Sequence, residues 1–221
     1  MKNGRRIISV VMHADDDKTR HTDSAALLDY GFAMLEYQSP YTDVAYHWCR
    51  EDVAALKELG VELHTDGETF RPDADVTRAE FTAMLYTALE QSGALPEAPV
   101  EAEKAEAPLF ADIEGHWAQA YIEKATGLGL ISGTGADTFS PDRSITRQEM
   151  MVLIDRCMDL PDENGLGFSD DGQIAFWALE AAARTAAAGL FQGNNGRLMP
   201  TGTASRAQAA AVINRVLALT A

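Results

Sequence analysis

The sequence predicts a mainly α-helical protein of three helix-loop-helix repeats that form a pseudo-threefold module, preceded by a short β-strand and a helix. Two observations predict it. The only tryptophans, Trp48, Trp117 and Trp177, are each followed twelve residues later by a glycine. Beyond each glycine lie an apolar-x-Pro turn and then an arginine, and these arginines are Arg78, Arg147 and Arg206. A repeated unit of this length buries its apolar face by stacking on its neighbours.

Residues 1–39 precede the repeats and differ from them. Arg5 to Met12 form an apolar run of strand length, and Asp23 to Leu35 have a helical pattern. The run is too short for a secretory signal peptide, which needs an apolar core of roughly 7–15 residues before its cleavage site. No apolar stretch approaches the roughly 20 residues that cross a bilayer, so we expect no membrane insertion.

The first helix of each repeat follows its tryptophan. In the first repeat, Val53, Leu56 and Leu59 recur at helical spacing. Each of these helices stops at a glycine suited to a left-handed cap, at Gly60, Gly129 and Gly189.

The second helix of each repeat opens with a capping box, in which a hydroxyl and a side chain three residues later each satisfy a backbone N–H. The pairs are Thr77 with Glu80, Thr146 with Glu149, and Ser205 with Gln208. The repeats therefore span residues 40–90, 109–160 and 168–221. A linker of acidic, proline and alanine residues occupies 91–108, and a short linker occupies 161–167.

Composition excludes several classes of protein. The formal net charge is −16, with more than half of the excess in residues 41–109, which argues against a nucleic-acid partner. Cys49 and Cys157 form no C-x-x-C pair, and we expect them to be buried apolar residues rather than a disulfide. His47 and His116 lack the spacing of metal ligands, so neither a metal nor a cofactor is expected.

The repeated arginine lies at the start of a helix, where the macrodipole disfavours a cation. One interpretation is an anion site, built from the guanidinium and the free N–H groups of the helix. The alternative is that each arginine pairs with an acidic neighbour such as Asp43, Asp112 or Asp171. The tryptophans are open to the same two interpretations, because a core anchor and a platform for a sugar ring both use the indole face.

The second repeat closely resembles an S-layer homology repeat, the first matches the same motifs, and the third is more degenerate. The resemblance is carried by residues 110–118, 129–133, 139–141 and 145–149 and by their counterparts in the other repeats. It implies an all-α module that holds a surface protein non-covalently on the bacterial cell wall, outside the cell. The implied partner is an anionic secondary cell-wall polysaccharide, often carrying pyruvyl ketals.

In that family, grooves between repeats bind the ligand. Carried over, the resemblance nominates Arg78, Arg147, Arg206, Trp48, Trp117, Trp177, Gly133 and Gly193. Of the three grooves, the one that involves Arg147 is the first candidate for ligand binding. The first repeat departs from the pattern because His64 stands in the place of Gly133, and the third has Gln208 in the place of the glutamate. The sequence does not fix the oligomeric state.

A second resemblance concerns residues 5–12 and 26–32, which look like the end of a serine-type D-alanyl-D-alanine carboxypeptidase. The motifs S-x-x-K, S-x-N and K-T-G are absent, and Lys18-Thr19-Arg20 lacks the glycine. Without a lysine base and oxyanion donors a serine cannot perform acyl transfer, so we expect no enzyme activity from this chain. The alternative function is the C-terminal part of such a carboxypeptidase, acting in peptidoglycan remodelling, with its catalytic core elsewhere.

Overall fold

The computed structural model describes residues 8–12, 16–36, 40–95, 110–163 and 165–220. The chain divides into two compact units, Met1–Ser39 and Pro40–Ala221.

The first unit contains one helix, α1 (Asp17–Glu36), within its described residues. It begins after Asp16, whose carboxylate accepts a hydrogen bond of 2.7 Å from the Thr19 N–H. The expected helix is therefore present and starts at Asp17 rather than Asp23. The expected strand is wrong for residues 8–12, which have no regular structure, and Arg5 to Ile7 lie outside the described residues. A strand needs a partner strand for its N–H and C=O groups, and the described part of this unit supplies none.

The second unit contains the three repeats, and the prediction of a mainly helical module is confirmed. Each repeat contributes two α-helices, which are α2 (Arg50–Leu59) and α3 (Arg78–Ser92), α4 (Gln119–Gly127) and α5 (Arg147–Cys157), and α6 (Leu179–Ala187) and α7 (Arg206–Thr220). The capping boxes form as expected, with both reciprocal hydrogen bonds in each of the three. Gly60, Gly129 and Gly189 all have positive φ, as expected for left-handed caps.

The helices interleave between repeats. The first helix of each repeat packs mainly on the second helix of another repeat, which places α4 on α3, α6 on α5, and α2 on α7. The third repeat thereby closes onto the first. One continuous apolar core runs through all three repeats.

Three short backbone segments meet on a pseudo-threefold axis, just before α3, α5 and α7. The Val76 N–H donates to the Ala204 carbonyl (2.9 Å), the Ala204 N–H to the Ile145 carbonyl (3.3 Å), and the Ile145 N–H to the Val76 carbonyl (3.0 Å). Three isolated β-bridges link the same segments in the same cyclic order. This closed ring brings the starts of all three second helices together.

The described residues contain no membrane-spanning helix and two unpaired cysteines. Within the described residues, no helix combines the length and the apolar character needed to span a bilayer. Cys49 is buried and Cys157 is partly buried, and both are free thiols.

Candidate ligand grooves between the repeats

The turn before each second helix is held by an aspartate. The Asp112 carboxylate accepts hydrogen bonds from the N–H groups of Phe139 (2.8 Å) and Ser140 (2.7 Å). Asp43 and Asp170 bind the corresponding turns of the other repeats in the same way. The middle residue of each turn has a positive φ of 55–60°, which directs both N–H groups towards the carboxylate.

The aspartates named as partners of the arginines are therefore wrong, but acidic pairing itself is confirmed for two of the three arginines, whose partners are glutamates. In the third repeat, Asp170 holds the turn and Asp171 instead accepts a hydrogen bond from the Phe168 N–H. Burial raises the pKa of Asp112 and Asp170, but the turn N–H groups outweigh it, and both pKa values lie below the ordinary aspartate value.

Arg78 reaches from the first repeat into the second. Its guanidinium donates to the carbonyls of Phe139 (2.9 Å) and Ser132 (3.2 Å) and forms an ion pair of 3.1 Å with Glu149. Burial lowers the pKa of Arg78, and the charge of Glu149 opposes that effect. Arg143 forms an ion pair with the same glutamate.

Arg206 reaches from the third repeat into the first and is fully buried. It donates to the carbonyls of Phe70 (2.7 Å) and Leu63 (2.6 Å). Its Nη1 lies 2.8 Å from Oε1 of Glu80, an ion pair whose angle does not fit a directed hydrogen bond. Burial is the main influence on the pKa of Arg206 and lowers it.

Arg147 reaches from the second repeat into the third and, among the described residues, forms no ion pair with a carboxylate. Its Nε donates to the Leu198 carbonyl (2.8 Å), and its guanidinium lies 5.4 Å from the centre of the Phe191 ring. Gln208 occupies the position that Glu80 and Glu149 hold in the other repeats, and no carboxylate of the described residues forms an ion pair with Arg147. Arg147 is partly buried, and burial lowers its pKa while the charge of Asp170 opposes that effect.

The first three N–H groups of α3, α5 and α7 are all used within the protein and are not free to bind a ligand. The N–H groups of Arg78, Arg147 and Arg206 donate to carbonyls of the neighbouring repeat at 2.9 Å. The N–H groups of the residues that follow them do the same at 2.9–3.0 Å. The third N–H of each helix donates to the capping hydroxyl. The expectation of an anion site made of helix N–H groups is therefore wrong, and only side chains can supply the positive charge.

Groove 1 is an open cavity lined by residues of all three repeats. It encloses about 440 Å³. Arg78 lies at its base, Gly133 lines the loop side, and Trp177 of the third repeat lies at its edge. Arg156 of α5 adds an exposed guanidinium that donates to the Ser132 hydroxyl (3.0 Å).

Groove 2 is the equivalent cavity one step around the axis. It encloses about 170 Å³ and contains Arg147, Gly193 and Trp48 in the corresponding positions. Arg215 of α7 takes the place of Arg156, is exposed, and donates to the Leu190 carbonyl (2.8 Å). Among the described residues, no acidic side chain lines groove 2.

Groove 3 is the third equivalent position, and two side-chain rings stack in it. Arg206 lies beneath it, and His64 of the first repeat stacks on Trp117 of the second, with ring centres 3.7 Å apart and planes 5° from parallel. Thr87 takes the place of Arg156 and Arg215 and is buried. The sequence-predicted residues are thus all brought to the three inter-repeat positions, one arginine and one tryptophan to each.

The tryptophans are not core anchors. Trp48 is 62% exposed, Trp177 is 58% exposed and Trp117 is 37% exposed. The histidines before Trp48 and Trp117 act locally, because each Nδ1 accepts the N–H of the residue that precedes its helix, Cys49 for His47 and Ala118 for His116.

The two glycines have a packing role. A Cβ on Gly133 would lie 2.5 Å from the Phe110 ring and 2.6 Å from the Thr138 carbonyl oxygen. A Cβ on Gly193 would lie 2.6 Å from the Arg197 carbonyl oxygen. Both glycines allow the loop wall of an open groove to fold tightly.

Sequence reasoning missed Arg156 and Arg215. A signal was available, because each follows its helix-start arginine by nine residues, whereas the first repeat has Thr87 at this position. The capping boxes and turns recur in all three repeats. The arginine nine residues into the second helix recurs only in the second and third repeats, whose second helices line the open grooves.

The fold and the grooves define a three-repeat helical module with ligand-sized clefts between its repeats. A model of the S-layer homology domain matches residues 40–82, 109–151 and 167–210, and the chain belongs to that family. The matched segments begin at residue 40. The resemblance of the preceding segment to a carboxypeptidase finds no support in these comparisons.

Curated relatives are long proteins of which the chain covers a small part. It is 31% identical over 84% of its length to an amylopullulanase of Thermoanaerobacterium thermosulfurigenes, covering 10% of that protein. It is 36% identical over 64% of its length to cell surface glycoprotein 1 of Acetivibrio thermocellus, covering 6%. It is 34% identical over 62% of its length to the cellulosome-anchoring protein of the same organism, covering 30%.

Proposed function

We propose that the chain anchors a protein non-covalently to the bacterial cell wall by binding an acidic secondary cell-wall polysaccharide, often pyruvylated, in its open grooves. The observation that carries the proposal is the pairing, in each open groove, of two arginines with an exposed tryptophan. Among the relatives, the names of a cell surface glycoprotein and a cellulosome-anchoring protein support a role at the cell surface.

The charge of the grooves favours an anionic ligand. The chain carries a net charge of −16, yet the described residues that line groove 2 include Arg147 and Arg215 and no carboxylate. Groove 1 is lined by three arginines and Glu149. Guanidinium groups bind carboxylates through paired hydrogen bonds, and a pyruvyl ketal supplies one carboxylate. Because the surrounding protein is acidic, long-range attraction to the polymer is weak and recognition depends on these local pairs.

The shape of the grooves favours a sugar. Trp48 and Trp177 each present an exposed indole at the edge of a groove, and the apolar face of a sugar ring packs on such a surface. Two grooves on one module bind separate residues of the same polymer, so modest affinities combine into firm attachment.

The test is binding of the 221-residue chain to purified acidic wall polysaccharide, measured by calorimetry. We expect Arg156→Ala and Arg215→Ala each to weaken binding at their groove by roughly 10- to 100-fold, the value of a charge-assisted hydrogen bond. Both side chains are exposed, so the fold should persist. Lys124→Ala is the matched control, because it removes one exposed positive charge outside the open grooves.

A second experiment measures binding to the same polysaccharide after its pyruvyl ketals have been removed chemically. We expect binding to fall to the level of a variant that combines Arg156→Ala with Arg215→Ala. Equal binding of treated and untreated polymer, together with full binding by both arginine variants, would reject the proposal.

A further inference from the structure

We propose that this module is divalent: His64 and Trp117 close groove 3, and only groove 1 and groove 2 accept an acidic sugar. The inference deepens the proposed function and rests on it. It concerns how many sites this particular chain offers.

The stacked pair occupies the position of a ligand ring. The pseudo-threefold axis relates Trp117 to Trp177 of groove 1 and Trp48 of groove 2, and relates His64 to Gly133 and Gly193. Where the other two grooves have a glycine and space, groove 3 has an imidazole lying flat on the indole. Trp117 is correspondingly less exposed than the other two tryptophans.

The loop that carries His64 is fixed at several points. The His64 N–H donates to the Glu62 carboxylate (2.6 Å), and the Glu62 N–H donates to the Thr87 hydroxyl on α3 (3.0 Å). The intervening Leu63 carbonyl accepts from the buried Arg206 (2.6 Å). A ligand would have to displace a ring whose backbone is tied to two helices, and three hydrogen bonds oppose that movement.

Groove 3 also lacks the charge for an anion. The guanidinium of Arg206 is fully buried and paired with Glu80, whereas Arg147 has no acidic partner among the described residues. Thr87 replaces the second, exposed arginine of the open grooves, and its hydroxyl donates to the Ala83 carbonyl. Arg78 of groove 1 is also buried and paired with a glutamate, so the missing exposed arginine is the difference in charge that groove 3 does not share with either open groove. Closure by His64 and absence of this arginine coincide at one of the three positions.

Stoichiometry tests the proposal. The probe is a monosaccharide methyl glycoside with a single pyruvyl ketal, titrated into the full chain by calorimetry. We expect two sites in the unmodified chain, one site in Trp48→Ala, one in Trp177→Ala, and two in Trp117→Ala, which is the matched control. Three sites, or loss of a site in Trp117→Ala, would overturn divalency while leaving the proposed function intact.

A ligand-free measurement separates the two proposals if the sugar does not bind. Iodide quenching of fluorescence is compared between a variant that keeps only Trp117 and one that keeps only Trp177, the other tryptophans being phenylalanine. We expect Trp117 to be quenched roughly twofold less, because it is covered and lacks exposed arginines that attract the anion. Adding His64→Gly should raise its quenching, and glycine suits the positive φ of 43° at this position. Equal quenching of Trp117 and Trp177 before that substitution would show that groove 3 is open.

Discussion

At some equivalent positions of the three repeats, the residue type and its structural role differ. Position 64 and its equivalents hold a histidine that fills a groove or a glycine that shapes one, and position 87 and its equivalents hold a buried threonine or an exposed arginine. Repetition of sequence therefore identifies what builds the fold, and departures from repetition identify where ligand binding differs.

Gly133→Ala tests how tightly the wall of groove 1 is built. The added methyl would meet the Phe110 ring at 2.5 Å and two backbone carbonyls, Thr138 and Gly135, at 2.6 and 2.9 Å. We expect a loss of about 1–3 kcal/mol in the free energy of unfolding, measured with urea, because backbone cannot move aside cheaply. Gly127→Ala in α4 is the control, since a Cβ there meets nothing within 4 Å. It should leave stability unchanged or raise it slightly, and an equal loss in both variants would contradict the steric explanation.

At the residue scale, the sequence predicted interactions within a few positions and missed distant ones. The capping boxes depend on a spacing of three residues and could be identified directly. The partner of Arg78 is Glu149, on another repeat, and the nearer aspartates were the natural but wrong expectation. Those aspartates are used by turns whose positive-φ residues are Arg71, Ser140 and Met199, none of which is glycine, so the turn geometry gave no compositional signal.

At the scale of elements, each second helix begins by crossing into another repeat. Its first N–H groups are satisfied by the neighbour's carbonyls, and its arginine reaches the neighbour's turn. This explains the cation at an unfavourable end of the helix: the arginine joins repeats, and its pairing with carbonyl and carboxylate oxygens offsets the small cost against the macrodipole. The existence of the helices was predictable from periodicity, but their interleaving was not, because an apolar stripe does not specify which other stripe it meets.

Arg206 and Arg147 both join two repeats, and we expect them to contribute unequally to the free energy of unfolding. Arg206→Met leaves Glu80 buried with only Arg71 to pair with, so we expect a loss of about 3 kcal/mol, the low end of the range for breaking a buried pair. Arg147→Met strands no carboxylate and removes one hydrogen bond to Leu198, so we expect a loss of about 1 kcal/mol.

Urea unfolding at neutral pH measures both changes. Arg206→Met combined with Glu80→Gln should recover part of the loss, since the buried charge that has lost its buried partner is then gone. Similar losses for the two single variants would show that the ion pair contributes little beyond packing.

On the scale of the whole molecule, the three repeats form a closed ring rather than an open stack. The Val76, Ile145 and Ala204 backbones complete one another's hydrogen bonds, and α2 of the first repeat packs on α7 of the third. Composition, charge and repeat spacing predicted three units that pack together, but ring closure needs contacts between residues more than a hundred positions apart, which no local pattern encodes. The closed ring is also what gives each groove residues from three repeats.

Because the three repeats form a closed ring, we expect them to fold and unfold as one cooperative unit. A chain ending at residue 166 loses the third repeat, which removes α7 from α2 and α3, leaves the Val76 N–H and the Ile145 carbonyl without partners, and exposes core residues such as Val53 and Leu56. We therefore expect this truncated chain to show no cooperative thermal transition by circular dichroism, whereas an open stack would retain two folded repeats. Residues 40–221 alone serve as the control and should melt cooperatively, because they form a compact unit of their own. A sharp transition in the truncated chain would show that two repeats suffice and that the ring is not required for folding.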